Sequence, residues 1–110
     1  MSRKKYFDNI NKRLVYIDTK ADMKFWDNMW ENSFNRVKYN KVLPKFNPYL
    51  NTTRKYLNPG DTILEGGCGL AENSHNFRMA GFNPIALDYA EKTIDFLKKN
   101  KPELNPVIGD

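Results

Sequence analysis

Residues Ile63–Asn73 read "ILEGGCGLAEN". An apolar pair and a lone glutamate run into three glycines within four residues, and a second glutamate follows the loop. On the N-terminal side stands "NPGD" (Asn58–Asp61), a tight turn with Pro59 and Gly60 suited to its two central positions. The residues after that turn, "TILEG" (Thr62–Gly66), predict a short strand, and the glycine loop feeds a helix expected over Ala71–Met79, with Gly81 at its exit. The same alternation repeats downstream. "PIALD" (Pro84–Asp88) predicts a second strand, "EKTIDFLKKN" (Glu91–Asn100) a second helix, and "NPVIG" (Asn105–Gly109) a third strand. Strands alternating with helices of about ten residues predict right-handed βαβ crossovers and a parallel sheet.

A loop that leaves a parallel strand and enters a helix lies at the carboxyl end of the sheet, where open α/β folds take their ligands. Gly67 and Gly69 remove side chains that would keep a ligand off the backbone, and the helix start offers unpaired N–H groups. Asp88 falls 19 residues after Gly69, at the end of the second strand. An acidic side chain there can accept from both hydroxyls of a ribose. A nucleoside-containing ligand is the expectation.

The loop also excludes some nucleosides. In the dinucleotide pattern G-x-G-x-x-G/A, counted from Gly67, the third glycine position falls on Glu72, and a P-loop would need a lysine that is absent. A carboxylate at a helix N-terminus repels a pyrophosphate, so the ligand is not expected to be held by phosphates.

These residues resemble the class I S-adenosylmethionine-dependent methyltransferases. The first motif of that family, acidic-x-Gly-x-Gly-x-Gly, stands here as Glu65-Gly66-Gly67-Cys68-Gly69-Leu70-Ala71, with alanine for the last glycine. "YLNPGDTILEGGCG" (Tyr56–Gly69) looks like the approach to it, and "GFNPIALDYAEKTIDFLKK" (Gly81–Lys99) like the second motif and its helix. "VIGD" (Val107–Asp110) looks like the start of the third, and "FWDNMWENSFNR" (Phe25–Arg36) like the aromatic helix ahead of the core. The resemblance implies S-adenosylmethionine as cofactor and S-adenosylhomocysteine as product. It places Glu65 at the methionine end, Gly66, Gly67, Cys68 and Gly69 along the ligand, Asp88 on the ribose, Tyr89 along the adenine and Asp110 at its amino group. Trp26, Trp30 and Arg36 would close over it. It implies transfer to a small-molecule acceptor that the sequence does not identify. Covalent catalysis is not required, because the sulfonium activates its own methyl and the protein has to position it; which side chain, if any, assists the transfer is not identified by the sequence.

The resemblance also implies an incomplete Rossmann-like three-layer fold. Residues 1–57 are expected to form an N-terminal helical arm or lid, and 58–110 a truncated core of about three parallel strands in the order 3-2-1. The arm's helices are expected from Ala21, capped by Asp22 and carrying Met23, Trp26, Met29 and Trp30, and over about Val42–Leu57, broken or restarted by Pro44 and Pro48; "RLVYID" (Arg13–Asp18) reads as an extended segment or bent arm. The family's sheet has further strands, so strand one would be left with an open edge. That edge is expected to be covered by a two-fold dimer or by a second chain completing the fold. The chain would then lack much of what catalysis needs, and a non-catalytic nucleoside-binding or self-assembling fragment is the alternative reading.

Composition narrows the remaining classes. The net charge of +5 is uneven: residues 1–60 hold 13 Lys/Arg against 5 Asp/Glu, and residues 61–110 hold 5 against 8. A basic front half is compatible with an acidic partner, but no helix-turn-helix, zinc-finger or RNP signature accompanies it, and a solvated lysine-rich surface is the simpler reading. The single cysteine excludes an internal disulfide framework and fits a cytoplasmic protein. No membrane partner and no metal centre are expected. Cys68 reads as a filler of the loop rather than a nucleophile, and His75 as a helix-surface residue.

Overall fold

The computed structural model describes residues 4–17 and 21–110. Two strands, β1 (Lys4–Asp8) and β2 (Arg13–Ile17), form an antiparallel hairpin with Tyr6 opposite Val15 and Phe7 opposite Leu14. Helices α1 (Met23–Glu31) and α2 (Pro48–Thr53) follow. The remainder alternates as β3 (Thr62–Gly66), α3 (Glu72–Met79), β4 (Asn83–Asp88), α4 (Glu91–Asn100), a 3-10 turn (Pro102–Leu104) and β5 (Val107–Ile108). The last three strands form one parallel sheet in the order β3-β4-β5. This is a mixed α/β architecture. No helix among the described residues is long and apolar enough to cross a membrane.

The glycine-bearing half follows its sequence pattern except at the third strand, where Asn105, with φ of 49°, closes the 3-10 turn and only Val107–Ile108 of the expected Asn105–Gly109 pairs. The Asn58–Asp61 turn closes with the Asp61 N–H donating to the Asn58 carbonyl at 3.0 Å, and Gly60 supplies the positive φ of 91°. Ala86 on β4 is fully buried against Ala71, Ile94, Leu97 and Leu104. Leu50, Phe77 and Phe82 form a second cluster, against which Ile63 of β3 packs. Each fully buried Leu, Ile or Phe side chain contributes about 1.5–3 kcal/mol of transfer free energy. Both crossovers therefore cover one face of the sheet. The opposite face carries Leu64 and Ile85, which pair in register, with Leu87 and Val107 beside them. Leu64 is 62 % exposed there.

The front half departs from expectation in two places. The segment before Asp18 is one strand of a hairpin whose partner, Lys4–Asp8, shows no alternation to announce it. Its turn is fastened by Asp8, whose carboxylate accepts from the Ile10 and Asn11 backbone N–H groups at 3.0 and 3.2 Å. The helix expected over Val42–Leu57 is confined to Pro48–Thr53, because Asn47 caps it by accepting from the Leu50 N–H at 3.1 Å and Pro48 takes the first helical position. The first helix is as expected. Asp22 accepts from the Phe25 N–H at 3.0 Å, and the helix ends at Asn32.

Helix α1 is attached to the sheet layer by polar contacts to α4. Ala90, ahead of α4, provides no side-chain cap. Buried Asp27 of α1 fills that role from outside, accepting from the Lys92 N–H at 3.0 Å, while the Lys92 ammonium reaches Glu31 at 3.5 Å. Beyond α1, Phe34 stacks on Phe96 of α4 with ring centroids 4.5 Å apart. These contacts bring Trp26 and Trp30 over the ends of the strands.

Candidate functional site

The loop between β3 and α3 is built from left-handed residues. Gly67, Gly69 and Ala71 have φ of 66°, 54° and 58°. Glycine tolerates this region, whereas Ala71 carries a penalty of about 1–2 kcal/mol that its surroundings must offset. Ala71 is buried, and its N–H donates to the Cys68 carbonyl at 2.8 Å. The Cys68 N–H donates to the Leu87 carbonyl at 2.9 Å, tying the loop to β4.

Asp88 completes the attachment. Its Oδ2 accepts from the Gly69 N–H at 2.9 Å and its Oδ1 from the Ala90 N–H at 2.9 Å. The carboxylate, on a residue only 7 % exposed, thus holds the glycine loop on one side and the start of α4 on the other. Each carboxylate oxygen has a second lone pair, so Asp88 retains acceptor capacity toward a ligand hydroxyl while performing this structural task.

A cavity of about 380 Å³ opens at this end of the sheet. Gly66, Gly67, Leu87, Asp88, Tyr89 and Asp110 line it, together with Trp26 and Trp30 of α1. Gly109 also contributes; a Cβ there would stand 2.7 Å from Leu87 Cδ1, so a larger residue would crowd that wall. Two carboxylates and three aromatic rings line the cavity, and among the described residues no Lys, Arg or His does. Such a surface favours a cationic, flat ligand and disfavours phosphate. The Tyr89 hydroxyl donates to the Ala21 carbonyl at 3.0 Å, which fixes the ring against the approach to α1.

The expected site residues thus divide into two sets. Gly66, Gly67, Asp88, Tyr89, Asp110, Trp26 and Trp30 surround one cavity. Glu65, Cys68, Gly69 and Arg36 are not among its lining residues. Glu65 is half-buried at the end of β3 and accepts from the Ser74 hydroxyl at 2.8 Å. Cys68 lines a smaller cavity of about 220 Å³ with Trp30 and Glu72. Burial, followed by the neighbouring Asp88 and Glu65 carboxylates, pushes its thiol up to about 12. It is therefore a neutral thiol at physiological pH. Arg36 is exposed in the turn after α1.

Gly69 is buried beneath Trp30. A Cβ on Gly69 would stand 2.6 Å from Cζ2 of the indole and 2.9 and 3.0 Å from the adjoining Cε2 and Cη2. Distances so nearly equal place that atom above the ring face rather than at its rim. The indole lies flat on the glycine, and only a residue without a side chain admits it.

Several participating residues carry no motif. Ser74, fully buried in α3, orients Glu65. Leu87 and Gly109 line the cavity from β4 and the end of β5. Tyr39, in the irregular stretch between α1 and α2, donates to the Leu70 carbonyl at 2.7 Å. Nearby, His75 Nε2 lies 2.6 Å from the Asn40 carbonyl, so the histidine packs against that stretch instead of standing free on the helix. Only the positions of Leu87 and Gly109, at strand ends, could have been picked out by pattern. Comparisons with protein-family models, with curated proteins and with solved structures return no match.

Proposed function

We propose that this chain binds S-adenosylmethionine between the Glu65–Ala71 loop and Asp88, as the cofactor-binding part of a methyltransferase acting on a small-molecule acceptor. The observation that carries this reading is the 380 Å³ cavity at the strand ends, lined by two carboxylates and three aromatic rings, with no basic side chain among the described residues that line it. When bound, the cofactor supplies an electrophilic methyl on a cationic sulfur. The residues supply its placement. The ribose hydroxyls have acceptors in Asp88, the adenine has the Tyr89 ring and Asp110, and Trp26 and Trp30 keep water from the sulfonium. Gly66 and Gly67 allow close approach to the backbone; Glu65, which the family resemblance puts at the methionine end, is bonded to Ser74 and lies outside the cavity lining.

Magnitudes decide which contacts matter. Two charge-assisted hydrogen bonds at about 1.5–3 kcal/mol each do not reach the ~8 kcal/mol of micromolar affinity. The aromatic walls must supply much of the remainder. Calorimetric titration with S-adenosylhomocysteine tests the reading. Saturable binding at one site per chain, weakened at least tenfold in both Asp110→Ala and Trp26→Ala, supports it; no heat at 1 mM ligand overturns it.

A second reading is a nucleoside-binding module that acts by assembly rather than by catalysis. It is favoured by β3, an edge strand with Leu64 exposed, beside an apolar groove that includes Tyr49 and Tyr56. Under this second reading a second copy of the chain would pair with the β3 edge. Sedimentation velocity at micromolar concentration checks self-association, and methyl transfer to any acceptor separates enzyme from module.

A further inference from the structure

The left-handed loop is supported from outside the sheet layer at one further point. Tyr39 belongs to no helix or strand, yet its hydroxyl donates to the Leu70 carbonyl at 2.7 Å. Leu70 lies between Gly69 and Ala71, two residues with positive φ, so its carbonyl direction is fixed by the loop's least favourable turn. The phenol is itself held. Lys101 Nζ sits 4.6 Å from its ring centroid and pairs with Glu103 at 2.9 Å, and the His75 ring packs 5.1 Å away on the opposing helix. Asn40, the next residue, donates to Asn76 of α3 at 3.2 Å. Burial, with Glu72 nearby, pushes the Tyr39 hydroxyl up to about 12, so it stays a donor across the physiological range.

We infer that Tyr39 is a positioning residue for the ligand-binding loop, acting through the Leu70 carbonyl to hold Gly67–Ala71 in its binding geometry. It touches no residue of the cavity lining through this bond, so its effect on a ligand is indirect. The contact to Leu70 and the packing against Lys101 and His75 are separable: Tyr39→Phe removes the hydroxyl and keeps the ring.

The effect on affinity rests on the cofactor reading above; the effect on the loop does not. Amide hydrogen exchange and S-adenosylhomocysteine titration are measured on the wild-type chain, Tyr39→Phe and Tyr39→Leu. In Tyr39→Phe, exchange at Gly69 and Ala71 is expected to accelerate about 3- to 10-fold, the equivalent of one hydrogen bond. Exchange at Ile94 and Leu97 in the core should change less than about twofold, and ligand affinity should fall about 3- to 10-fold. Tyr39→Leu, which also loses the ring, should accelerate loop and core together. Unchanged loop exchange in Tyr39→Phe overturns the inference. Equal acceleration of loop and core does so too, since it would make Tyr39 a general stabiliser. Selective loop acceleration in a chain that does not bind S-adenosylhomocysteine upholds the positioning role and sinks the cofactor reading.

Discussion

Replacing Gly69 by alanine separates two reasons for a glycine at one position. The first is the backbone: φ is 54°, and alanine in the left-handed region costs about 1–2 kcal/mol. The second is Trp30. A Cβ at 2.6 Å from Cζ2 has to be relieved by lifting the indole by close to 1 Å, to ordinary contact near 3.5 Å. Forcing a methyl into a packed site costs about 1–3 kcal/mol, and the low end applies because Trp30 is half-buried and can move. Gly67 is the control. Its φ of 66° is equally left-handed, but a Cβ there meets nothing within 4 Å. Urea unfolding followed by far-UV circular dichroism should therefore show Gly67→Ala destabilised by about 1–2 kcal/mol, and Gly69→Ala by about 1 kcal/mol more. Tryptophan emission should shift to the red in Gly69→Ala only. In a Trp30→Ala background the excess should vanish, and the two glycine substitutions should become equivalent. Equal destabilisation in the wild-type background, with unchanged emission from both, would refute the seating of Trp30 on Gly69.

Asp27→Ala should destabilise the chain by about 1–2 kcal/mol, because the Lys92 N–H loses the acceptor that begins α4; Asp27→Asn, which keeps an oxygen there, should recover part of it in the same urea assay. Stability should also fall in alkali. Cys68 and Tyr39 have ordinary values of 9.0 and 10.0 and are held up to about 12 in the fold, so the unfolded chain releases these protons first. Their contribution is complete below about pH 9 and is lost as pH climbs toward 12, which urea midpoints at pH 7, 9 and 10.5 would follow. At pH 8.5 iodoacetamide should modify Cys68 far more slowly in the folded chain than in urea; equal rates would contradict its burial.

What the sequence made legible was local. The turn at Asn58–Asp61, the bounds of α4 and the spacing from Gly69 to Asp88 are consequences of neighbouring residue types, and the structure has each of them in place. Asp88 was singled out for a ribose; its bonds to Gly69 and Ala90 depend on how β4 ends beside the loop, which spacing does not encode. Ser74 looks like an ordinary helix polar residue until α3 is laid against β3. Tyr39 lies in a stretch with no period, and its partner is a backbone carbonyl, which has no letter in the sequence. The β1 strand is not legible, because "KKYFD" has neither alternation nor a flanking glycine or proline. The restart at Pro48 is legible in Val42–Leu57, but the apolar spacing on either side of it does not show that only Pro48–Thr53 is helical, capped by Asn47.

The support of the glycine loop closes on itself. Gly69 hangs from Asp88, Asp88 also holds Ala90, α4 starts there and offers the Lys92 N–H to Asp27, and Asp27 belongs to the helix whose Trp30 lies back on Gly69. A circuit of this kind has no free end. Loosening any one link relaxes the next, so loop, α4 and α1 should order and fray as one unit rather than as three. Filling the cavity at Asp88 would then be felt in the rings that cover it, through the same four contacts, without any hinge being needed.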